Sequence, residues 1–175
     1  NKGKGFAIKL GVKKAKGDII GFIDAGMDLD PKEISIMLGI MQNNNADIVI
    51  GSKLHPKSRV NYPTGRKILS WGYRTLTHLL FGFNVRDTQV GLKLFKKEVA
   101  KKVFERILIK RFAFDVEVLA VAYSLGFKKI YEAPVKIDFS RYSSISPMNF
   151  WMIILHMLWD TAAVFYRLKV LRYYD

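Results

Sequence analysis

With 175 residues, 50% of them hydrophobic, the chain suits about one domain with a real core, and its net charge of +14 favours an anionic partner. That partner is nucleic acid, a phosphorylated substrate or an acidic membrane surface. The absence of cysteine excludes a disulfide framework and a thiolate metal site, and His55, His78 and His156 are too scattered for metal-ligand spacing.

In chain order, Asn1-Lys-Gly-Lys-Gly5 is a glycine-rich turn leading into a helix over Phe6–Lys16. Its start offers Lys4 and free backbone N–H groups to a phosphate, although an ordinary loop explains the same residues. The run Ile19-Ile20-Gly21-Phe22-Ile23 then reads as a buried parallel strand ending in Asp24, Asp28 and Asp30. Asp30-Pro31-Lys32-Glu33 has the form of a capping box for a helix ending near Asn43. Asp24 and Asp28 are not explained by capping. As hard oxygen ligands at a strand's carboxyl end, they suit Mg²⁺ or Mn²⁺ carrying a diphosphate.

A second buried strand, Ala46–Gly51, completes a strand–helix–strand unit, from which a parallel sheet is expected. The Ser52–Gly65 loop holds Lys53, Lys57 and Arg59, with Arg66 and Lys67 opening a helix to Phe81 that stops at Gly82. These cations form either a phosphate receptor or a solvated loop. Val85–Phe95 joins a polar turn to a short alternating strand, and a helix follows from Lys97. Phe114-Asp-Val-Glu117 opens an apolar helix, where Glu117 suits the helix dipole. Lys129–Phe139 alternates as a strand and leads into a serine-rich loop around Arg141.

From Met148 to about Tyr173 apolar and aromatic residues wrap most of a helix, interrupted by Asn149, His156 and Asp160 and trailed by Arg167, Lys169 and Arg172. No uninterrupted spanning stretch of ~20 residues results. A helix lying in a membrane interface fits this mixture, as does one packed on the domain or on a second copy of the chain. The division expected is 1–147 and 148–175. The chain starts at Asn1 with no initiator Met and no secretory pattern, and is expected to be a piece of something longer, with an exposed apolar edge beside Ile19–Ile23 or with that edge completed by another segment.

The ordered set Asn1-Lys-Gly-Lys-Gly-Phe-Ala, Phe22-Ile-Asp-Ala-Gly-Met-Asp-Leu-Asp-Pro, Gly51-Ser-Lys with Arg66, and Asp87-Thr-Gln-Val-Gly-Leu-Lys-Leu-Phe resembles one family. Phe114-Asp-Val-Glu and Glu132-Ala-Pro-Val with Arg141 continue it. The family is the inverting glycosyltransferases that use polyprenyl or dolichyl phosphate as acceptor, and the resemblance is strongest to dolichyl-phosphate glucosyl- and mannosyltransferases. It implies an α/β GT-A fold, a Rossmann-like and mostly parallel sheet flanked by helices, with the C-terminal amphipathic helix added. Two departures stand out. The first strand, Pro-x-Tyr-Asn-Glu-like loop and helix that hold the base and ribose are missing, and the family's Asp-x-Asp is here Asp24-Ala25-Gly26. Asp28 stands where many relatives place a metal-binding Gln.

The resemblance implies transfer of a hexose from a UDP- or GDP-sugar to a lipid phosphate, on the cytoplasmic face of a membrane to which the protein is peripheral or anchored. Asp24 and Asp28 would hold Mg²⁺ or Mn²⁺; Lys4, Asp24 and Gln89 would bind the donor. Lys53, Arg66, Ser70 and Arg141 would hold the acceptor phosphate, and Asp87 would sit at the reaction centre, although an Asp before Thr-Gln also suits a turn. A phosphate monoester with a second pKa about 6 is already largely ionised at neutral pH, so no strong base is demanded. The alternatives are a degenerate scaffold of the same fold, motivated by Gly26 and the missing front portion, and a nucleic-acid-binding domain, motivated by the +14 charge. The second is disfavoured because no RNP-like, helix-turn-helix or zinc pattern is present.

Overall fold

The structure, a computed structural model, describes residues 3–26, 29–61, 64–109, 113–138 and 147–174. Helix α1 (Lys4–Lys14) leads to β1 (Ile19–Ile23), α2 (Glu33–Asn43), β2 (Ile48–Ser52) and a short β3 (Arg59–Asn61). The long α3 (Thr64–Phe81) precedes β4 (Leu92–Lys96), α4 (Lys97–Arg106) and α5 (Phe114–Ser124). The chain continues through β5 (Ile130–Pro134) and β6 (Lys136–Asp138) to α6 (Pro147–Lys169).

The main sheet has the order β1-β4-β2-β5, and β3 pairs in parallel with β6 in a two-stranded ribbon. Strands β1, β2 and β5 run in one direction. Strand β4 runs against them, antiparallel to both β1 and β2, while β2 and β5 are parallel neighbours. The two strands of the expected strand–helix–strand unit therefore share a direction but do not touch, because β4 inserts between them. β1 lies at the sheet's edge, with Ile19 exposed.

Side chains alternate across a strand, and both faces of this sheet are covered. One face carries Ile48, Ile50 and Phe95 against α1, α4, α5 and α6. The other carries Val49, Leu92 and Leu94 against α2, through Met37 and Met41. On the first face the Phe22, Phe95, Phe104 and Phe114 rings pack together, with centroids 5.4–6.4 Å apart. Such pairs contribute about 0.5–1.5 kcal/mol each beyond burial. Helix α5 is buried from Phe114 through Ala122, as an apolar helix enclosed on all sides must be.

Two acidic residues play other parts than the sequence pattern suggests. α2 begins at Glu33 with no side-chain cap; Asp30 Oδ1 accepts the N–H of Lys32 instead, and Glu33 reaches across to accept the N–H of Lys136 at the start of β6. Glu117 is fully buried and accepts the backbone N–H groups of Leu108 and Ile109 and the hydroxyl of Tyr174, 2.6 Å away. Arg167 of α6 donates its Nε–H to the same hydroxyl. Burial and the Glu117 carboxylate both push the Tyr174 phenol up, so it stays a donor, and the C-terminal tail is fastened under the helices.

α6 packs on α5 and α3; Tyr73 and Thr161 hydroxyls meet at 2.8 Å. Its outer side exposes Trp151, Met152, Leu155 and Trp159, beside Trp71 and Leu79 of α3. No described helix is long and apolar enough to cross a membrane.

Candidate active site

The sheet brings three chain segments to one edge. β1 ends just before Asp24 and β2 just before Lys53, while β4, running the other way, begins just after the loop 86–91. This is the side on which ligands bind open α/β sheets.

Asp24 is fixed by its backbone and by its surroundings. Its N–H donates to Gly91 O at 2.7 Å, and a Cβ added to Gly91 would lie 1.8 Å from Asp24 Oδ2. The carboxylate thus rests directly on the glycine backbone. The ammonium of Lys4, from the first turn of α1, lies 2.8 Å from Asp24 Oδ1 and 3.3 Å from Asp115 Oδ2. Asp115 Oδ1 in turn accepts from Lys93 Nζ at 2.5 Å. Burial pulls the Lys4 ammonium down, but Asp115 and Asp24 more than offset it and the group titrates above its usual range. In Lys93, which has no exposed surface, burial prevails and the pKa is lowered.

Asp87 is buried and its two oxygens are engaged. Oδ2 accepts the backbone N–H of Lys53 at 2.9 Å and lies 3.0 Å from Lys53 Nζ, while Oδ1 accepts the N–H of Gln89 at 3.0 Å. Glu132 steadies the same turn by accepting the N–H groups of Arg86 and Asp87. The Asp-Thr-Gln turn is therefore both a turn former and a charged anchor for Lys53.

Above this turn a cavity of about 590 Å³ opens between α3 and α6. Its walls are apolar, with Leu69, Trp71 and Leu76 from α3 facing Ile154, Met157 and Leu158 from α6. Its lining also includes the polar groups Asp87, Gln89, Lys53, Ser70, Arg74 and Arg86. A second hollow of about 380 Å³ shares Lys53, Ser70, Trp71 and Arg74 with it.

Of the residues singled out in the sequence, Lys53, Ser70, Asp87 and Gln89 come together in this cavity, and Lys4 pairs with Asp24. Asp28 and Arg141 lie outside the described residues; Arg66 lies in α3, but its side chain is likewise outside the description. Arg74 and Arg86 were not anticipated. Arg74 carries a readable signal, since it stands four residues after Ser70 on the same helical face. Among the described residues, no group of three or more His, Cys, Asp or Glu could by itself hold a metal.

The sequence profile of glycosyl transferase family 2 matches residues 1–104. The chain belongs to glycosyl transferase family 2. It is 36% identical over 140 residues to the dolichyl-phosphate beta-glucosyltransferase of Trichomonas vaginalis, covering 78% of this chain and 43% of that protein. It is 31% identical over 169 residues to the Drosophila melanogaster dolichyl-phosphate beta-glucosyltransferase, covering 91% of this chain and 52% of that one. It is also similar to a UDP-N-acetylglucosamine--dolichyl-phosphate N-acetylglucosaminyltransferase of Methanococcus voltae, at 31% identity, covering 98% and 66%. The chain spans about half the length of the curated relatives it first matches. The fold is shared with glucosyl-3-phosphoglycerate synthase of Mycobacterium tuberculosis, crystallised with Mn²⁺, UDP-glucose and phosphoglyceric acid. The TM-score is 0.65 at 17% identity, over 95% of this chain and 54% of that one. The GT-A-like α/β architecture expected from the motifs is the observed one, with the mixed strand order described above.

Proposed function

We propose that the full-length protein transfers a hexose from a UDP- or GDP-linked sugar to a polyprenyl or dolichyl phosphate, with inversion at the anomeric carbon. The observation that carries this reading is the lining of the cavity between α3 and α6, which combines apolar side chains of both helices with Lys53, Arg74 and Arg86. Such a site suits an amphiphile with a hydrocarbon chain and a phosphate. The names of the relatives, dolichyl-phosphate glycosyltransferases, support the same acceptor class.

In this reading Lys53, Ser70 and Arg74 receive the acceptor phosphate, together with Arg66 and Arg141. Asp87 keeps the Lys53 charge at the reaction centre rather than serving as a strong base, since an ionised phosphate oxygen already attacks well. Gln89 faces the sugar. Two anions must approach each other, and fixed cations offset their repulsion. Lys4 and Asp24 mark the donor side, two backbone positions beyond Gln89 through the Asp24–Gly91 contact.

The donor set fits Mg²⁺ or Mn²⁺ brought by a diphosphate. Asp24 would supply hard carboxylate oxygens at a strand end and Asp28, by the family resemblance, would be the second ligand; Mg²⁺ is commonly held by one or two carboxylates plus phosphate oxygens. A bound dication supplies Lewis-acid neutralisation of the departing diphosphate. Residues 1–147 make the transferase portion, and 148–175 the helix that seats it on the cytoplasmic face of an anionic membrane. The exposed Trp151, Leu155 and Trp159 and the exposed, trailing Lys169 and Arg172 support that placement.

The test is transfer by the full-length protein from labelled UDP-glucose, UDP-N-acetylglucosamine or GDP-mannose to dolichyl phosphate. A lipid-linked sugar formed with one of them is the expected product. Nucleotide-sugar binding without transfer would favour a degenerate scaffold instead.

A further inference from the structure

Lys93 is the unexplained residue of the described site. It has no exposed surface, and burying an ammonium is costly enough that an apolar side chain of similar volume often serves packing as well or better. Its position is set by β4: it points to the same face as Phe95, toward α5, between the two leucines that face α2. There Nζ donates to Val90 O at 2.7 Å and to Asp115 Oδ1 at 2.5 Å. The first contact fastens the loop that carries Asp87, Gln89 and Gly91. The second completes a chain of alternating charges, Lys93–Asp115–Lys4–Asp24, drawn from four separate elements. Both ammonium groups also lie within 6 Å of the Phe22 ring, at 5.6 Å for Lys93 and 5.9 Å for Lys4.

We infer that Lys93 and Asp115 are positioning residues for donor binding: they tie the 87–91 loop to α5 and hold the Lys4 ammonium beside Asp24, where it meets the donor's diphosphate. The inference rests on the donor-site reading above. Asp115 engages Lys4 with one oxygen and Lys93 with the other, so Lys4 keeps part of its surface and one donor direction for a phosphate. Without Asp115, Lys4 would hang from Asp24 alone and could follow it or leave it. Without Lys93, Val90 O would lose its buried donor and the loop its side-chain tie to α5 through Asp115.

Two readouts test this in the full-length protein. The first is amide hydrogen exchange without nucleotide. Lys93→Met should speed exchange of the Asp24 and Gln89 N–H groups at least tenfold while leaving Val49 and Ile50 in β2 unchanged. Uniform acceleration, or none, overturns the loop attachment. The second is equilibrium binding of UDP, and of GDP, with Mn²⁺ present. Asp115→Asn should weaken binding about tenfold, the scale of one charge-assisted contact, and should add little in a Lys4→Ala background because it acts through Lys4. Where Asp115→Asn fails to fold, Lys93→Met/Asp115→Asn replaces it, as it leaves no unpaired buried charge. Additive losses overturn the positioning role. A parent that binds neither nucleotide, or a Lys4→Ala variant that binds like the parent, defeats the donor-site reading itself, whatever hydrogen exchange shows.

Discussion

Gly91→Ala is the sharpest single perturbation of the site. Gly91 does not have a left-handed φ, so alanine adopts its backbone without strain and the effect is confined to the added methyl. That methyl would lie 1.8 Å from Asp24 Oδ2 and 2.0 Å from Cγ. The carboxylate must retreat by roughly 1.5 Å to reach ordinary contact. Its backbone cannot follow, because Asp24 N is bonded to Gly91 O and Ile23 is paired with Leu92. The side chain must therefore rotate away, and its bond to Lys4 is lost or lengthened. Lys4 and Asp24 are each more than a third exposed, at 36% and 37%, so the ion pair itself contributes only about 0.2–1 kcal/mol to stability. A fall in Tm of about 2–4 °C is the upper range. The functional loss should be far larger, since a displacement of about 1 Å in a reacting site can cost on the order of 100-fold. The assay is sugar transfer and Mn²⁺ titration of full-length Gly91→Ala beside Asp24→Asn. Both should show the same loss with a near-parental Tm. Parental Mn²⁺ dependence in Gly91→Ala would refute the placement of Asp24 at the metal.

Tyr174→Phe removes the hydroxyl shared by Glu117 and Arg167 and should destabilise by about 1–3 kcal/mol in thermal unfolding, whereas Tyr173→Phe, at an exposed position, should change little. Glu33→Gln should be more stable than the parent at pH 7, because burial raises the Glu33 pKa and the neutral amide has no charge to desolvate while its oxygen still accepts the Lys136 N–H. A raised carboxylate loses stability as pH rises through its folded value, so this gap should close in unfolding curves taken at and below the normal carboxylate range. Trp159→Ser with Leu155→Ser should release the protein from anionic liposomes in a flotation assay without loss of fold, each side chain contributing about 1.5–3 kcal/mol of apolar burial.

The parts of this site that the sequence made legible are those carried by local pattern. An apolar run ending in an acid located β1 and Asp24, and the Gly82 stop located the end of α3, where its φ is 66° and its N–H returns to His78 O. What depended on distant pairing was not legible. Nothing local says that β4 separates β1 from β2. Lys93 between two leucines reads as the wet side of an alternating strand, and it is buried only because α5 covers that face. Glu33 matched a capping box by spacing, yet an orphan N–H on β6 claimed its carboxylate. Glu117 fitted the helix dipole, and is more fully explained by the two loop N–H groups and Tyr174 hydroxyl that converge on it. The cavity required knowing that α6 folds back onto α3, a contact between residues 88 apart in sequence.

The most direct test of the acceptor site is to fill it. Gly72 lines the cavity from α3, and a Cβ added there meets nothing within 4 Å, so the helix accepts a side chain at this position and Gly72→Phe adds bulk at the cavity's lining. The measurement is initial-rate transfer by the full-length protein against dolichyl phosphate concentration, with nucleotide-sugar binding followed in parallel. The cavity as lipid-phosphate site predicts a KM for the lipid raised at least tenfold, with donor affinity unchanged. Parental kinetics toward the lipid in a folded Gly72→Phe would contradict it.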